Sequence, residues 1–304
     1  MNEIASIGDK LTACGFQFKT VNIKHVPELL ETIAKLERAG AFAKPVAGDY
    51  IRYYTDVSNQ PPAAQTLFII AMPSPITHVN FTLPDGILTT VIPPQYIGGV
   101  DDAAARDCLL SVLEPAGYKI ARARVPMKTL AVRSGLARYG RNNISYVPGM
   151  GSFHRLIAFS AEVPSVEDNW QEAKMMAACE NCYRCRENCP TGAIATDRFQ
   201  IHAERCLTYL NESPANFPGW VKPEWHNALI GCMRCQDICP VNKPYLKKVK
   251  KAPGFDAGET DLILKKTPFK ELPAETQRKL RDIAYDDTWL YRFLARNLAV
   301  LIKR

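Results

Sequence analysis

Eight of the ten cysteines fall into two runs whose spacing suits iron–sulfur chemistry. The first run is Cys179, Cys182, Cys185 and Cys189, followed by Pro190, which reads C-x2-C-x2-C-x3-C-P. The second is Cys232, Cys235 and Cys239, followed by Pro240. It lacks a leading cysteine, because Leu229 stands at that position, and Cys206 between the runs is available to replace it. Each [4Fe–4S] cluster needs four thiolates, and in this motif the fourth cysteine ligates the other cluster. The expected sets are therefore Cys179, Cys182, Cys185 and Cys239 for one cluster, and Cys206, Cys232, Cys235 and Cys189 for the other. Repeated C-x2-C also occurs in structural zinc sites and, in secreted chains, in disulfide frameworks. A C-x2-C-x2-C triplet leaves a tetrahedral ion with a third thiol it rarely uses, and the proline closing both runs fits the cluster motif. Cys14 and Cys108 lie outside the pattern and are expected to be buried small hydrophobes.

Elements able to position such clusters have to come from the rest of the chain. At 304 residues and 47% hydrophobic content it suffices for two domains, or for one domain with an inserted module. The longest apolar run, Leu67 to Met72, is strand-sized, so no membrane span is expected. The opening MNEIASIGDK has neither an apolar signal core nor a twin-arginine pair, and cytoplasmic location with clusters assembled there is the expectation. Net charge is a modest +7, unevenly spread. From Cys108 to Ala161 the sole acidic residue is Glu114, against Lys119, Arg122, Arg124, Lys128, Arg133, Arg138, Arg141 and Arg155, with His154 beside them. Such a stretch suits an anionic ligand, a phosphate or a nucleic acid backbone; the plainer reading is a solvated basic face. Lys243, Lys247, Lys248, Lys250 and Lys251 form a second basic run, of the kind usually only solvated.

Periodicity predicts a short helix, a strand near 16–23 and a helix near 26–39 ending at Gly40. Strands are predicted at 67–72 and 88–92, each stopped by proline, then a helix over 103–113 and a basic strand over 119–125. A helix over 127–136 and strands at 143–147 and 156–160 follow, around the Gly149-Met150-Gly151-Ser152 turn. This alternation argues an α/β domain over residues 1–167. Residues 168–250 hold the cysteines in a ferredoxin-like module, and 251–304 form a helical tail, with helices over 274–285 and 289–302.

Several segments together resemble the cobalamin-dependent epoxyqueuosine reductases and, more distantly, the reductive dehalogenases. They are the early buried strand PAAQTLFIIAMP (62–73), SGLARYGRNN (134–143), Gly151-Ser152-Phe153, CENCYRCRENCPTGAI (179–194), RCLTYL (205–210), GCMRCQDICPVN (231–242) and the ending YRFLARNLA (291–299). The resemblance implies an α+β fold: a nitroreductase-like, cobalamin-binding α/β domain, a double-cluster ferredoxin-like module and a helical tail. It also implies a base-off cobalamin reduced by two clusters, a low-potential donor such as a ferredoxin or flavodoxin, and a monomer or weak dimer. The expected cofactor-binding positions are Gly140, Arg141, Asn142, Gly151, Ser152 and His154. None of the five histidines lies in a D-x-H-x-x-G corrinoid motif.

One departure stands out. The epoxyqueuosine reductases carry a proton-donating aspartate upstream of the segment matched by 134–143, where this chain reads Ala121-Arg122-Ala123-Arg124-Val125-Pro126. Tyr139 and Arg141 are the replacement candidates, a phenol to donate a proton and a guanidinium to hold an anion or lower the phenol's pKa. Three functions compete: a cobalamin-dependent reductase acting on tRNA or a small molecule, a reductive activator of another protein's corrinoid, and a ferredoxin-type carrier without its own substrate.

Overall fold

The structure, a computed structural model, describes residues 3–41, 58–97, 99–165, 168–286 and 290–304. Its helices are α1 (Glu3–Ala13), α2 (Val26–Arg38), α3 (Gly99–Leu113), α4 (Met127–Arg133), α5 (Arg184–Glu187), α6 (Leu207–Glu212), α7 (Arg234–Asp237), α8 (Ala257–Leu264), α9 (Ala274–Asp282) and α10 (Tyr291–Ile302). The strands are β1 (Gln17–Asn22), β2 (Thr66–Pro73), β3 (Ile76–Leu83), β4 (Gly86–Ile92), β5 (Ile120–Arg122), β6 (Arg138–Tyr139), β7 (Ser145–Tyr146), β8 (His154–Ala161) and β9 (Val249–Lys251). Two compact units result. One comprises Met1–Pro73, Gly98–Tyr183 and Arg198–Gln200; the other comprises Ser74–Ile97, Arg184–Asp197 and Ile201–Arg304.

In the first unit an antiparallel sheet runs β1-β2-β8-β5. Strand β2 is its spine because every residue from Thr66 to Met72 is apolar or hydrogen-bonded, and all are buried. Side chains alternate across a strand. Leu67, Ile69 and Ala71 therefore enter one core with Val26 and Leu29 of α2 and Leu130 of α4. Phe68, Ile70 and Met72 enter another with Ile7 and Leu11 of α1 and Leu109 and Leu113 of α3. A truncation such as Ile69→Ala removes a wholly buried side chain from a central strand, a cost of about 2–5 kcal/mol. The basic strand predicted over 119–125 shrinks to three residues. Ala123 gives its N–H to Ala158 and then, like Val125, turns into the core below α4.

The second unit holds a three-stranded sheet, β4-β3-β9, with β3 and β4 an antiparallel hairpin and β9 parallel to β3. Neither β3 nor β9 is foreseen from sequence: Pro73 and Pro75 read as stops before β3, and β9 lies inside the second lysine run. The hairpin is chemically well motivated, since Val79 and Phe81 face a core completed by Phe255, Leu294, Leu298 and Leu301. The rings of Phe81 and Phe255 stack at 5.0 Å. Helix α8, also unforeseen, starts with a capping box between Asp256 and Glu259. Among the described residues no helix is long and apolar enough to cross a membrane.

His154, the first residue of β8, is 4% exposed and donates or accepts at both ring nitrogens, to Ser145 Oγ at 3.1 Å and the Gly151 carbonyl at 3.0 Å. Burial depresses its pKa to about 4 against an opposing contribution from the Gly151 carbonyl. A depressed folded-state pKa contributes stability that is whole above the ordinary value of 6.5 and is lost as pH falls toward about 4. Urea denaturation of wild type and His154→Gln between pH 7.5 and 4 should show the wild type losing more stability, by up to about 3 kcal/mol at the acid end.

Candidate functional site

The cysteines of the second set are assembled by short helices and by the chain's C-terminus. Cys206 is the N-cap of α6, and the N–H groups of Thr208 and Tyr209 and the Thr208 hydroxyl oppose the rise that burial gives its pKa. Cys232 receives Asn227 Nδ2 at 3.2 Å and the N–H of Arg234. The charges of Cys206 and Cys189 raise Cys232, and that of Cys189 raises Cys206, so three separate segments bring these cysteines into one neighbourhood. Leu229, standing where a leading cysteine would be, is instead wholly buried in the core. Burial pushes Cys232 up to about 12 and raises Cys206, which makes both poor thiolates until a cation binds them. The N–H groups directed at the two sulfurs favour the ionised form that iron requires, so the donor set suits a cluster. Among the described residues no three His, Cys, Asp or Glu side chains converge as ligands of one ion would.

The tail motif has a direct role here. Arg296 of α10 donates to the carbonyls of Leu210 and Asn211 in the last turn of the helix that Cys206 begins, and to those of Ser213 and Ala215 just beyond it. Its neighbour Asn297 donates to Asn211 and Leu229 carbonyls at 3.0 Å. Asn211 passes the restraint on, donating to the Gly231 carbonyl at 2.6 Å, one residue before Cys232. Gly231 has φ +65°, and a Cβ there would lie 2.6 Å from Tyr96 Oη. Tyr96 in turn donates to Glu212, whose carboxyl burial raises to about 7. Arg296 and Asn297 are visible in sequence only as matched letters of an ending; their task depends on contacts 68 to 86 residues away in the chain.

Cys179 and Cys182 belong to the first unit, with the candidate catalytic residues. Arg141 donates to the carbonyls of Cys179, Glu180 and Cys182, the last at 2.9 Å, and lies 4.4 Å over the Tyr183 ring. Its guanidinium thus grips the first cysteine loop. It does not lower the phenol's pKa as expected: burial raises Tyr139, and a 3.0 Å hydrogen bond with Thr129 Oγ1 opposes that. Tyr139 is half-buried in β6, meeting Phe199 edge-on at 5.0 Å. Phe199, Tyr183 and Met175 are each just over a third exposed. That apolar surface beside Tyr139 and Arg141 has no sequence signature, since it is gathered from three segments.

The other expected cofactor positions build the same loop system. A Cβ on Gly140 would sit 2.4 Å from Tyr146 Cε2, so only glycine fits. Asn142 is buried, donates to Tyr146 Oη at 3.0 Å and accepts from Ile144 N–H. Gly151 and Ser152 are the turn leading to His154, and Gly151 bridges Val147. Asn142 and His154 therefore spend their side chains on holding the loops, leaving backbone to meet a ligand. Nor is the basic stretch uniformly available. Arg122 and Arg155 both pair with Asp102 of α3, and Arg133 pairs with Glu28 and covers Trp170. Cys14 is exposed and Cys108 partly so, contrary to the expectation of two buried hydrophobes.

Residues 178–242 match the family described as a 4Fe-4S double cluster binding domain. Epoxyqueuosine reductase from Cyclobacterium marinum is 34% identical over 80 residues, 26% of this chain and 24% of that protein. The Bacillus subtilis enzyme is 29% identical over 91 residues, 30% of this chain and 22% of its own length. The matched stretches thus span about a quarter of these curated relatives. Solved structures extend the likeness along the chain. Epoxyqueuosine reductase from Streptococcus thermophilus superposes with a TM-score of 0.67 at 17% identity, covering 99% of this chain and 81% of that one. An epoxyqueuosine reductase crystallised with an epoxyqueuosine-modified tRNA-Tyr stem loop gives 0.70 at 17% identity, covering 98% and 80%. The chain has the epoxyqueuosine reductase fold. Within that fold the segment 178–242 binds two [4Fe–4S] clusters, and the mixed helix-and-strand expectation holds.

Arg296→Ala should remove the guanidinium that bridges four carbonyls at and just beyond the end of α6. The expected result is a loss of about 3 kcal/mol in denaturant titration, with iron retention falling as the Cys206 segment loosens. Arg296→Lys should rescue little, because a single ammonium cannot fork across them.

Proposed function

We propose that this chain is an iron–sulfur, cobalamin-dependent reductase of the epoxyqueuosine reductase type whose substrate differs from that of the named enzymes. The observation that carries this reading is a double-cluster segment held within a chain that follows the epoxyqueuosine reductase fold over 99% of its length. A reductive activator of a corrinoid protein, or a simple electron carrier, would have no need of the buried loop system around Tyr139 and Gly140. We assign residues 1–167 to the cofactor-binding part, 168–250 to the clusters and 251–304 to a helical brace, in a cytoplasmic protein served by a ferredoxin or flavodoxin.

A bound base-off cobalamin would supply a low-valent, strongly nucleophilic cobalt, and the clusters would feed it one electron at a time. The residues fit the base-off form in one respect: both nitrogens of His154 are already engaged inside the protein, so this histidine is not on offer as an axial ligand. Backbone of 140–142 and 151–152 would meet the corrin, with Arg141 and Arg138 nearby. Tyr139 would hold the proton. Its raised pKa keeps the phenol protonated at neutral pH, and Thr129 orients the hydroxyl.

The substrate end is where this chain parts from its relatives. A solved Bacillus subtilis epoxyqueuosine reductase is described with an aspartate catalytic loop swung out of the active site. Here the run 121–126 has no carboxylate, and its Ala123 and Val125 are wholly buried. We infer weak or absent reduction of epoxyqueuosine in tRNA, and a small or anionic substrate instead.

Anaerobic reconstitution with iron, sulfide and cobalamin should give about eight iron atoms per chain. It should also give one cobalamin, whose Co(II) EPR spectrum lacks nitrogen superhyperfine splitting. Cys239→Ala should damage the cluster of the first run. Absence of saturable cobalamin binding would favour the electron-carrier reading, and turnover of epoxyqueuosine tRNA at a rate typical of the named enzymes would refute the substrate assignment. With a substrate in hand, Tyr139→Phe should cost roughly 10²-fold in turnover while clusters and cobalamin stay intact.

A further inference from the structure

The two cysteines outside the cluster pattern meet. Cys14 follows the last residue of α1 and is exposed; Cys108 lies within α3 and is partly exposed. They are 94 residues apart in sequence, yet their sulfurs stand 3.8 Å apart. The approach is held from several sides. Ile7 and Leu11 of α1 pack with Ala105, Leu109 and Leu113 of α3 in one core. At the surface, Lys10 Nζ donates to Ser111 Oγ at 2.9 Å, and Ser111 Oγ donates to the Cys108 carbonyl at 2.9 Å. A lysine, a serine and two thiols thus share one exposed seam, far in sequence from any cluster ligand.

We propose that Cys14 and Cys108 form a reversible, oxidation-responsive dithiol that cross-links α1 to α3. The oxidant class is a low-molecular-weight disulfide such as oxidised glutathione. The exposed Cys14 thiolate attacks one sulfur of that disulfide, whose S–S bond breaks and releases one glutathione thiol. Cys108, once deprotonated, attacks the Cys14 sulfur of the mixed disulfide and expels the second glutathione thiol. Two cysteine thiols lose two electrons and two protons, and two glutathione thiols gain them. Closing the bond draws the sulfurs from 3.8 Å to about 2.05 Å. Burial raises the pKa of Cys108, with Lys10 opposing that rise, so Cys14 takes the first step and Cys108 resolves it. The consequence is mechanical. A covalent bond pins the two helices that cover one face of the first unit's sheet, and a loop of this length constrains the unfolded chain strongly.

The test uses the full chain with its clusters in place, equilibrated anaerobically in glutathione buffers from reducing to oxidising, then acid-quenched, alkylated and mapped by mass spectrometry. The expected result is a Cys14–Cys108 linked peptide that grows with the oxidised fraction and disappears with dithiothreitol, while cluster absorbance is unchanged. Cys108→Ser should accumulate glutathione on Cys14, and Cys14→Ser should leave Cys108 unmodified at the same poise. The oxidised wild type should melt several degrees above the reduced form, a shift Cys14→Ser abolishes. A wild type that collects glutathione on Cys14 without the linked peptide, or stays fully reduced at the oxidising end, overturns the dithiol. Equal melting temperatures for linked and reduced protein overturn the clamp.

Discussion

Holding iron requires sulfur as thiolate, and hiding sulfur from water opposes that charge. Cys232, pushed up to about 12 by burial, carries this conflict most plainly, and much of the second unit is arranged around its resolution. Asn227 donates to the Cys232 sulfur, and the first turn of α6 and the Arg234 N–H favour the ionised forms of Cys206 and Cys232. Such donors have to be held still, because a short helix of six residues has little stability of its own. Arg296 and Asn297 provide that restraint from α10 by satisfying the carbonyls at the other end of the same helix. Helix α10 is anchored in turn by Leu294, Leu298 and Leu301, which share a core with the β3–β4 hairpin. The tail therefore braces the segment that carries Cys206.

A similar logic governs the first unit on a smaller scale. Gly140, Asn142, Tyr146 and His154 interlock so closely that a single added methyl at 140 would meet the Tyr146 ring. The rigid loops present Tyr139 on one side and Arg141 on the other. Arg141 is turned to the cysteine loop, where a guanidinium can satisfy three carbonyls at once and place a fixed positive charge beside Cys179 and Cys182. Charge is likewise redistributed at Asp102, a single carboxylate from α3 that pairs with two arginines of the one-signed stretch. What reads in sequence as an unbroken basic run is, in space, partly a set of internal ion pairs.

The sequence by itself determined the features that depend on neighbours along the chain. Cysteines spaced by a few residues can reach one group, so the double-cluster segment 178–242 was legible from its runs, as was the buried spine Leu67–Met72 by its composition and prolines. Helices α2 and α10 announced themselves through apolar period. Tertiary structure alone decided what depends on distant partners. It brought Cys206 into the neighbourhood of Cys189 and Cys232, placed Leu229 in the core, joined the β3–β4 hairpin to the C-terminal helices and aimed Arg296 at the end of α6. It turned Arg141 from the phenol to a cysteine loop and brought Cys14 within 3.8 Å of Cys108. The physical reason is the same in each case. A hydrogen bond or a thiol contact is specified by direction and distance in space, and neither is written in residue type when the partners lie far apart along the chain, up to 94 positions for Cys14 and Cys108.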